Sequence, residues 1–257
     1  MRRVVTLLGW LGLLLLLLPV AWAVWVSFTP DELLRPSLSR ASLRWYERFL
    51  AEPRWREALV RSLGIATASA LLSLMLGTAA ALAWREAGPR GRTWLGRLLL
   101  LPLLVPPLVL GIGLLPTMYL LGLEGSYPAV IFAHALLGTP LVFLTLRATL
   151  TERGREIEDA ARGLGASPWQ VFWRVTLPLA RPGLAAGAGL SFVVSLNDFY
   201  LVLFVAGPET ETLPRVIWPE LRYSLSPRVA VGSVLTLLAT LLALLPLGRT
   251  GPDGRGA

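Results

Sequence analysis

Residues 129–146 read AVIFAHALLGTPLVFLTL, an apolar run with no acidic or arginine side chain. A helix needs roughly 20 mostly apolar residues to cross the hydrocarbon core of a bilayer, so this run is long enough to span it. Similar runs lie on both sides of it, at residues 4–26, 58–83, 98–121, 184–206 and 229–247. The sequence therefore predicts an all-α membrane protein with six transmembrane helices.

The composition of the whole chain agrees with this fold class. Of its 257 residues, 54% are hydrophobic and 16% are charged, and the mean hydropathy is +0.63. A soluble domain of this length is less apolar. We predict one transmembrane domain over residues 1–257, with a first span at 4–26 and a core at 58–247.

The third apolar run differs from the others because it is rich in proline. A proline inside a helix removes a backbone donor and clashes with the preceding turn, so this run should be broken or kinked. Its prolines are Pro102, Pro106, Pro107 and Pro116.

The arginines predict the orientation of the chain. A cytoplasmic N-terminus places more than half of the 24 arginines, and most of those in short loops, on the cytoplasmic side. This is the distribution that the positive-inside rule describes. We expect both termini in the cytoplasm and a multi-pass protein of the cytoplasmic (inner) membrane. The segment 27–57 is then an external loop with an amphipathic piece around residues 43–50.

The first span has a second interpretation. Arg2-Arg3, an apolar run and Ala21-Trp22-Ala23 also resemble a cleavable signal peptide. The apolar character continues to Phe28, which is longer than a usual signal sequence and favours a retained helix.

Two absences from the sequence exclude classes of function. The chain has no lysine, so it has neither a Walker A loop nor a Schiff-base lysine. It has no cysteine and one histidine, which excludes thiolate metal sites and the H-E-x-x-H zinc motif. Any nucleotide chemistry must therefore belong to another chain.

The loop at 147–183, predicted to be cytoplasmic, has the pattern of two short helices at a bend. Ile157, Ala160, Ala161 and Leu164 form an apolar stripe, and Gly165 is typical of a helix end. Ser167, Pro168 and Gln170 form a capping box for the second helix, whose exposed side would carry Trp169, Phe172 and Trp173. Such a face needs a protein partner or, alternatively, lies as a hairpin on the membrane surface.

The same loop carries a spaced motif. Asp159-Ala160-Ala161 is followed after three residues by Gly165, and after nine more by Val175-Thr176-Leu177-Pro178. This pattern resembles the EAA loop of permease subunits of bacterial ABC importers, E-A-A-x3-G-x9-I-x-L-P, with Asp replacing Glu and Val replacing Ile. The resemblance implies a set of residues that couple the chain to an ATPase: Asp159, Ala160, Ala161, Gly165, Val175, Leu177 and Pro178.

In that family the loop is a coupling helix that docks on the ATPase subunit. The resemblance implies a permease subunit that translocates a small solute by alternating access and is not itself an enzyme. It implies no cofactor and no metal on this chain, because ATP and Mg belong to the ATPase subunits. The implied partners are ATPase subunits, a second permease subunit or second copy of this chain, an extracytoplasmic solute-binding protein and membrane lipid, without nucleic acid.

Four shorter matches resemble the second permease of spermidine/putrescine importers: Ser195-Leu196-Asn197-Asp198-Phe199, Gly207-Pro208, Thr212-Leu213-Pro214 and Ser226-Pro227. The solute that this resemblance implies is a polyamine such as spermidine or putrescine. Similar permeases carry two acids where this chain has Asn197 and Asp198. That difference leaves iron(III), thiamine or phosphonate as alternative solutes, with a secondary transporter as a distant alternative.

Asp198 is predicted to lie inside the fifth span, about one helical turn outside the midpoint of 184–206. An ionised Asp at a helix centre costs about 2.5–3.5 kcal/mol on insertion scales, so it should face protein, water or a cation. Two roles remain open. Asp198 and Asn197 line the substrate pathway, or Asp198 is a buried structural partner of His134.

Overall fold

The computed structural model describes residues 2–32, 41–150, 152–224 and 226–249, which are almost entirely helical. One isolated β-type bridge, between Gly125 and Ala206, occurs in these ranges. The helices are α1 (Arg2–Ser27), α2 (Arg44–Ala51), α3 (Pro53–Glu86), α4 (Pro89–Leu104), α5 (Pro107–Leu120), α6 (Tyr127–Thr149), α7 (Glu152–Gly163), α8 (Pro168–Val171), α9 (Leu177–Asn197), α10 (Tyr200–Val205), α11 (Leu213–Tyr223) and α12 (Arg228–Arg249).

Four of the six predicted spans, 4–26, 58–83, 129–146 and 229–247, each lie within a single helix. Within the described ranges, five helical segments are long and apolar enough to cross a membrane, and α4 with α5 makes a sixth if the bent pair is one span. The five are Arg3–Ser27, Pro53–Glu86, Tyr127–Thr149, Pro168–Asn197 and Arg228–Leu245. The prediction of an all-α membrane protein is confirmed.

The third span is broken where its prolines predict. The axes of α4 and α5 are bent by 102°, and the break lies at Val105 and Pro106. Val105 is extended, at φ −90° and ψ 129°, as expected for a residue before proline. Pro107 then starts α5, where a missing amide hydrogen costs nothing.

The fifth span differs from the prediction of 184–206. The helix runs over Pro168–Asn197 and ends before Asp198, and the apolar residues beyond the break form the separate short helix α10. Hydropathy counted 199–206 as part of the span, whereas Asp198 favours a helix cap over a helix interior. The second short helix predicted in the loop starts where expected, at Pro168, but it continues into this 30-residue helix instead of ending within the loop.

The chain divides into two compact units. The first comprises Met1–Val60 and Thr212–Ala239, and the second Arg61–Glu211 and Thr240–Ala257. In the first unit, Trp45 and Phe49 of the amphipathic α2 are buried with Trp55 of α3. The prediction of an amphipathic piece around residues 43–50 is therefore confirmed. Glu52 pairs there with Arg228 at the start of α12.

The second unit is built on close packing of α6 against α9. A Cβ atom added at Gly187 would lie 2.7 Å from Thr145 Oγ1 and 2.9 Å from the Cα of Val142, so only glycine fits. At Gly138 an added Cβ would lie 2.0 Å from Ser191 Oγ. Such contacts between small residues drive helix association in membranes, where apolar burial between helices gains little.

Candidate functional site

The segment between α6 and α9 is mostly helical. The predicted loop 147–183 contains the end of α6, all of α7 and the start of the helix Pro168–Asn197. The bend is formed by residues 164–167. The loop of the prediction is therefore a tight turn between two helices.

Gly165 ends the first of these helices, as predicted. Its φ is +88°, in the left-handed region that favours glycine. Its N–H donates to the carbonyl of Arg162 at 2.9 Å, and the N–H of Ala166 donates to that of Ala161 at 3.1 Å. These two bonds form a Schellman motif, which satisfies the last carbonyls of α7.

Ser167 begins the next helix through the predicted capping box. The N–H of Gln170 donates to Ser167 Oγ at 3.3 Å, and the N–H of Ser167 donates to Gln170 Oε1 at 2.8 Å. Both bonds satisfy amides that have no partner within the helix. The turn is thus fixed on both sides by local hydrogen bonds.

A π-helical turn, Phe172–Thr176, joins α8 to α9. It lies directly after the first turn of the helix and contains Val175 of the motif. Single π turns inside α-helices often lie at functional sites.

Four large apolar side chains in the turn and the helices beside it are exposed. Leu164 is 91% exposed, Trp169 70%, Trp173 49% and Ile157 47%. We call these four residues the loop face. Trp169 and Trp173 contact each other edge to face, with ring centroids 5.4 Å apart. Clustered apolar surface of this kind marks a site of interaction with protein or membrane.

α7 is also held by a buried ion pair that the sequence analysis missed. Arg85, in the last turn of α3, donates from Nη1 and Nη2 to the two carboxylate oxygens of Glu158 at 2.8 and 2.9 Å. Thr176 Oγ1, in the π turn, donates to the same carboxylate at 2.7 Å. All three residues are buried. Among 24 basic and 16 acidic residues, no spacing in the sequence identifies this pair.

The motif residues lie at different depths. Asp159, Ala160 and Gly165 are exposed, and Asp159 accepts a hydrogen bond from Arg162 at 2.8 Å. Val175, Leu177 and Pro178 are half-buried along the π turn and the start of α9, and Ala161 is half-buried on α7. The structure therefore brings the first part of the motif to the surface and the second part to the helix junction.

A second polar cluster lies between α6 and the end of α9. His134 Nδ1 shares a hydrogen bond with Ser195 Oγ at 2.6 Å. His134 Nε2 is 3.7 Å from Asp198 Oδ1, which is too long for a hydrogen bond. Asp198 Oδ1 accepts the N–H of Leu201 at 2.9 Å and so caps the start of α10.

The predicted pathway pair is separated by this arrangement. Asp198 is buried beside His134, whereas Asn197 is exposed and donates from Nδ2 to the carbonyl of Val193 at 2.8 Å. The position of Asp198 inside a continuous span was predicted wrongly, since it occupies the break between two helices. In the described ranges, no three His, Cys, Asp or Glu side chains come together as a metal site would require.

The described helices are those of a multi-pass membrane protein, with an anchored turn that exposes the loop face. The chain belongs to the family described as the inner membrane component of binding-protein-dependent transport systems, whose family model matches residues 73–248. It is a permease subunit of an ABC importer and a multi-pass protein of the inner membrane.

Three curated relatives cover most of the chain. It is 32% identical to the putrescine transport system permease protein PotI of Escherichia coli (strain K12), over 91% of this chain and 85% of PotI. The spermidine/putrescine permease protein PotC of the same strain is 30% identical, over 78% and 76%. The molybdenum permease protein ModB of Mycobacterium tuberculosis (strain ATCC 25618 / H37Rv) is 35% identical, over 80% and 83%.

Among solved structures, the fold is similar to a bacterial alginate ABC transporter in complex with an alginate pentasaccharide-bound periplasmic protein. The TM-score is 0.71 at 15% identity, with 96% of this chain and 93% of that chain covered. The similarity concerns the fold alone at this identity.

Proposed function

We propose that residues 152–178 dock on an ATPase subunit that binds ATP and Mg, and that this chain passes the movement of that subunit to its spans. The observation that carries the proposal is the exposed loop face, which lies at a turn that local hydrogen bonds fix on both sides. Leu164, Trp169 and Trp173 offer an apolar surface to a partner, while Glu158 ties the same turn to α3. A movement imposed on α7 would therefore reach the bundle directly.

In this proposal both termini and residues 152–178 lie in the cytoplasm, as the distribution of the arginines predicts. A second permease subunit or a second copy of this chain completes the pathway, and an extracytoplasmic binding protein delivers the solute. The chain itself carries no ATP chemistry, which agrees with the absence of lysine.

Co-purification tests the docking step. We expect Trp169→Ala with Trp173→Ala to reduce the amount of ATPase subunit recovered with the chain. Trp94→Ala is the matched control, because Trp94 is 71% exposed on α4 and lies outside the turn. Equal recovery of the ATPase subunit from both variants would contradict docking at the loop face.

We propose a polyamine as the solute, with putrescine and spermidine as the first candidates. The names of PotI and PotC support this choice, as does the buried carboxylate of Asp198 near the end of α9. A carboxylate favours a cationic solute over an anion. The similarity to ModB supports a second candidate, a molybdenum-containing solute.

Uptake into proteoliposomes distinguishes the candidates. The chain is reconstituted with its permease, ATPase and binding-protein partners, and uptake of labelled putrescine, spermidine, molybdate, iron(III), thiamine and phosphonate is compared. We expect ATP-dependent uptake of a polyamine. Molybdate uptake without polyamine uptake would contradict the proposed solute but support an ABC importer. Uptake that needs an ion gradient and no ATP would instead identify a secondary transporter.

A further inference from the structure

A surface pocket of about 290 Å³ lies where α3 ends, α4 begins and α6 ends. Arginine side chains from two of these helices line it, together with an aromatic ring from the third. We call it the arginine pocket, and its main lining residues are Trp84, Arg92, Gly96, Arg97, Leu100 and Arg147.

Trp84 fixes two of the three arginines. The guanidinium carbons of Arg92 and Arg147 lie 5.2 and 4.8 Å from the centre of its ring, within cation–π distance. Trp84 Nε1 donates to the carbonyl of Arg92 at 2.9 Å, and Arg92 Nη2 donates to the carbonyl of Arg85 at 2.7 Å. The side chains of Trp84, Arg92 and Arg147 in the pocket are therefore fixed by contacts with one another and with the backbone.

The positive charge of this pocket is uncompensated. Within the part of the chain that the structure describes, Arg92, Arg97 and Arg147 form no ion pair with a carboxylate, and the buried Nε of Arg92 has no hydrogen-bond partner. A planar guanidinium matches two oxygens of a phosphate or carboxylate. An anion with several acceptor oxygens would match these guanidinium groups.

An apolar groove of about 190 Å³ lies between the same three helices. Leu76, Leu99, Pro102, Leu136 and Pro140 contribute to its walls. Leu76 precedes Trp84 by eight residues and Pro140 precedes Arg147 by seven. At 1.5 Å per residue, the groove lies about 10–12 Å from the pocket along α3 and α6, toward the middle of these two helices, while on α4 Leu99 of the groove is next to Leu100 of the pocket.

We propose that the arginine pocket binds the phosphate of an anionic phospholipid, with one acyl chain in this apolar groove. A soluble phosphate would occupy the pocket but not the apolar groove. The same holds for an acidic side chain of a partner protein. A phospholipid carries both parts at this separation. The pocket lies at the ends of α3 and α6, where lipid headgroups meet a membrane protein.

Native mass spectrometry of the permease with its ATPase partners tests the proposal. We expect phosphatidylglycerol to be retained over phosphatidylcholine. One arginine near an anionic lipid contributes about fivefold to binding, so Arg97→Gln with Arg147→Gln should weaken phosphatidylglycerol binding about 25-fold. The matched control is Arg90→Gln with Arg181→Gln, which removes the same charge from exposed sites outside the pocket.

A second variant fills the pocket without changing charge. An added Cβ at Gly96 lies 3.7 Å from Trp84 Nε1, an ordinary contact, so Gly96→Leu should fold and occupy the headgroup space. We expect it to lose phosphatidylglycerol as well. Gly64→Leu is its control, because a Cβ at Gly64 meets nothing within 4 Å.

Three results would overturn the proposal. The first is equal retention of both lipids by the unaltered protein, and the second is full retention by the pocket variants. The third is displacement of phosphatidylglycerol by glycerol 3-phosphate at equal concentration, which would identify a site for a soluble anion. If the second result comes with loss of the ATPase subunit from the arginine variant, the arginines bind that partner instead.

Discussion

At the scale of single residues, Arg85 and Glu158 depend on each other. Each lies buried, and each has its charge neutralised by the other at hydrogen-bond distance. A buried ion pair adds little over an apolar pair of the same size, but breaking it leaves an uncompensated charge. The main effect of the pair is therefore to fix the position of α7 against the end of α3, and its contribution to the free energy of unfolding is small.

Removing one partner should be worse than removing both. We expect Arg85→Met to destabilise the fold by about 3–5 kcal/mol, because Glu158 is left buried with only Arg162, half-exposed and 4.0 Å away, as a counter-charge. Arg85→Met with Glu158→Met should recover most of that loss. Thermal unfolding in detergent measures both, with Arg90→Met, at an exposed position, as the control. A double variant as unstable as the single one would contradict the ion-pair argument.

Gly165 gives a prediction about transport. Gly165→Val places a β-branched residue at φ +88°, which costs about 1–2 kcal/mol and should alter the end of α7. We expect ATP-dependent uptake to fall by about 5–30-fold, if that cost acts on the docked state. The amount of chain in the membrane should stay the same.

Gly163→Ala is the control for this change, because Gly163 is helical and a Cβ there meets nothing within 4 Å. If Gly165→Val transports as well as Gly163→Ala, the shape of this turn is irrelevant to coupling.

At the scale of helices, local chemistry identified ends that hydropathy did not. Ser167 and Gln170 located the start of a helix, and Gly165 located the end of another, because caps are short-range interactions. The end of the fifth span was missed, since an apolar run is the same whether it continues a helix or begins a new one. The contact of Arg85 with Glu158 joins residues 73 apart, and only the folded bundle selects it.

Asp198 provides a test that separates a cap from a pathway. Asp198→Ala removes the acceptor for Leu201 and should destabilise the start of α10 by about 0.5–2 kcal/mol. Asp198→Asn keeps an oxygen acceptor and should leave stability nearly unchanged. Uptake and thermal unfolding are measured for both variants.

If the charge of Asp198 guides a cationic solute, Asp198→Asn loses uptake while its thermal stability is retained. Normal uptake by Asp198→Asn, with a defect in Asp198→Ala alone, would assign Asp198 a structural role and remove it from the pathway.

At the scale of the whole molecule, the sequence predicts the membrane-spanning helices more directly than it predicts which loops lie on which side of the membrane. Apolar length identifies a span, because the bilayer sets that length. The side of the membrane on which each loop lies depends on the distribution of arginines among the loops. The coordinates of the helices do not determine that side. Contacts within each unit came only from the structure, since small residues such as Gly187 permit many helix pairings.

The orientation can be measured directly because the chain has no cysteine. Tyr223→Cys, at an exposed residue predicted to be external, should react with a membrane-impermeant maleimide in spheroplasts. Gly163→Cys, at the last residue of α7, should react only after permeabilisation. The reverse pattern would invert the proposed topology, and labelling at both positions without permeabilisation would contradict the span count.

The π turn at Phe172–Thr176 has a geometric consequence for the turn at residues 164–167. A π turn holds about one residue more than an α-helical turn, so the helix Pro168–Asn197 contains the equivalent of a one-residue insertion. One residue corresponds to about 100° of rotation around a helix. Without the insertion, Trp169 would point about a quarter-turn away from its present direction while α9 kept its contact with α6. The nine-residue interval between Gly165 and Val175 therefore sets an angle as well as a length.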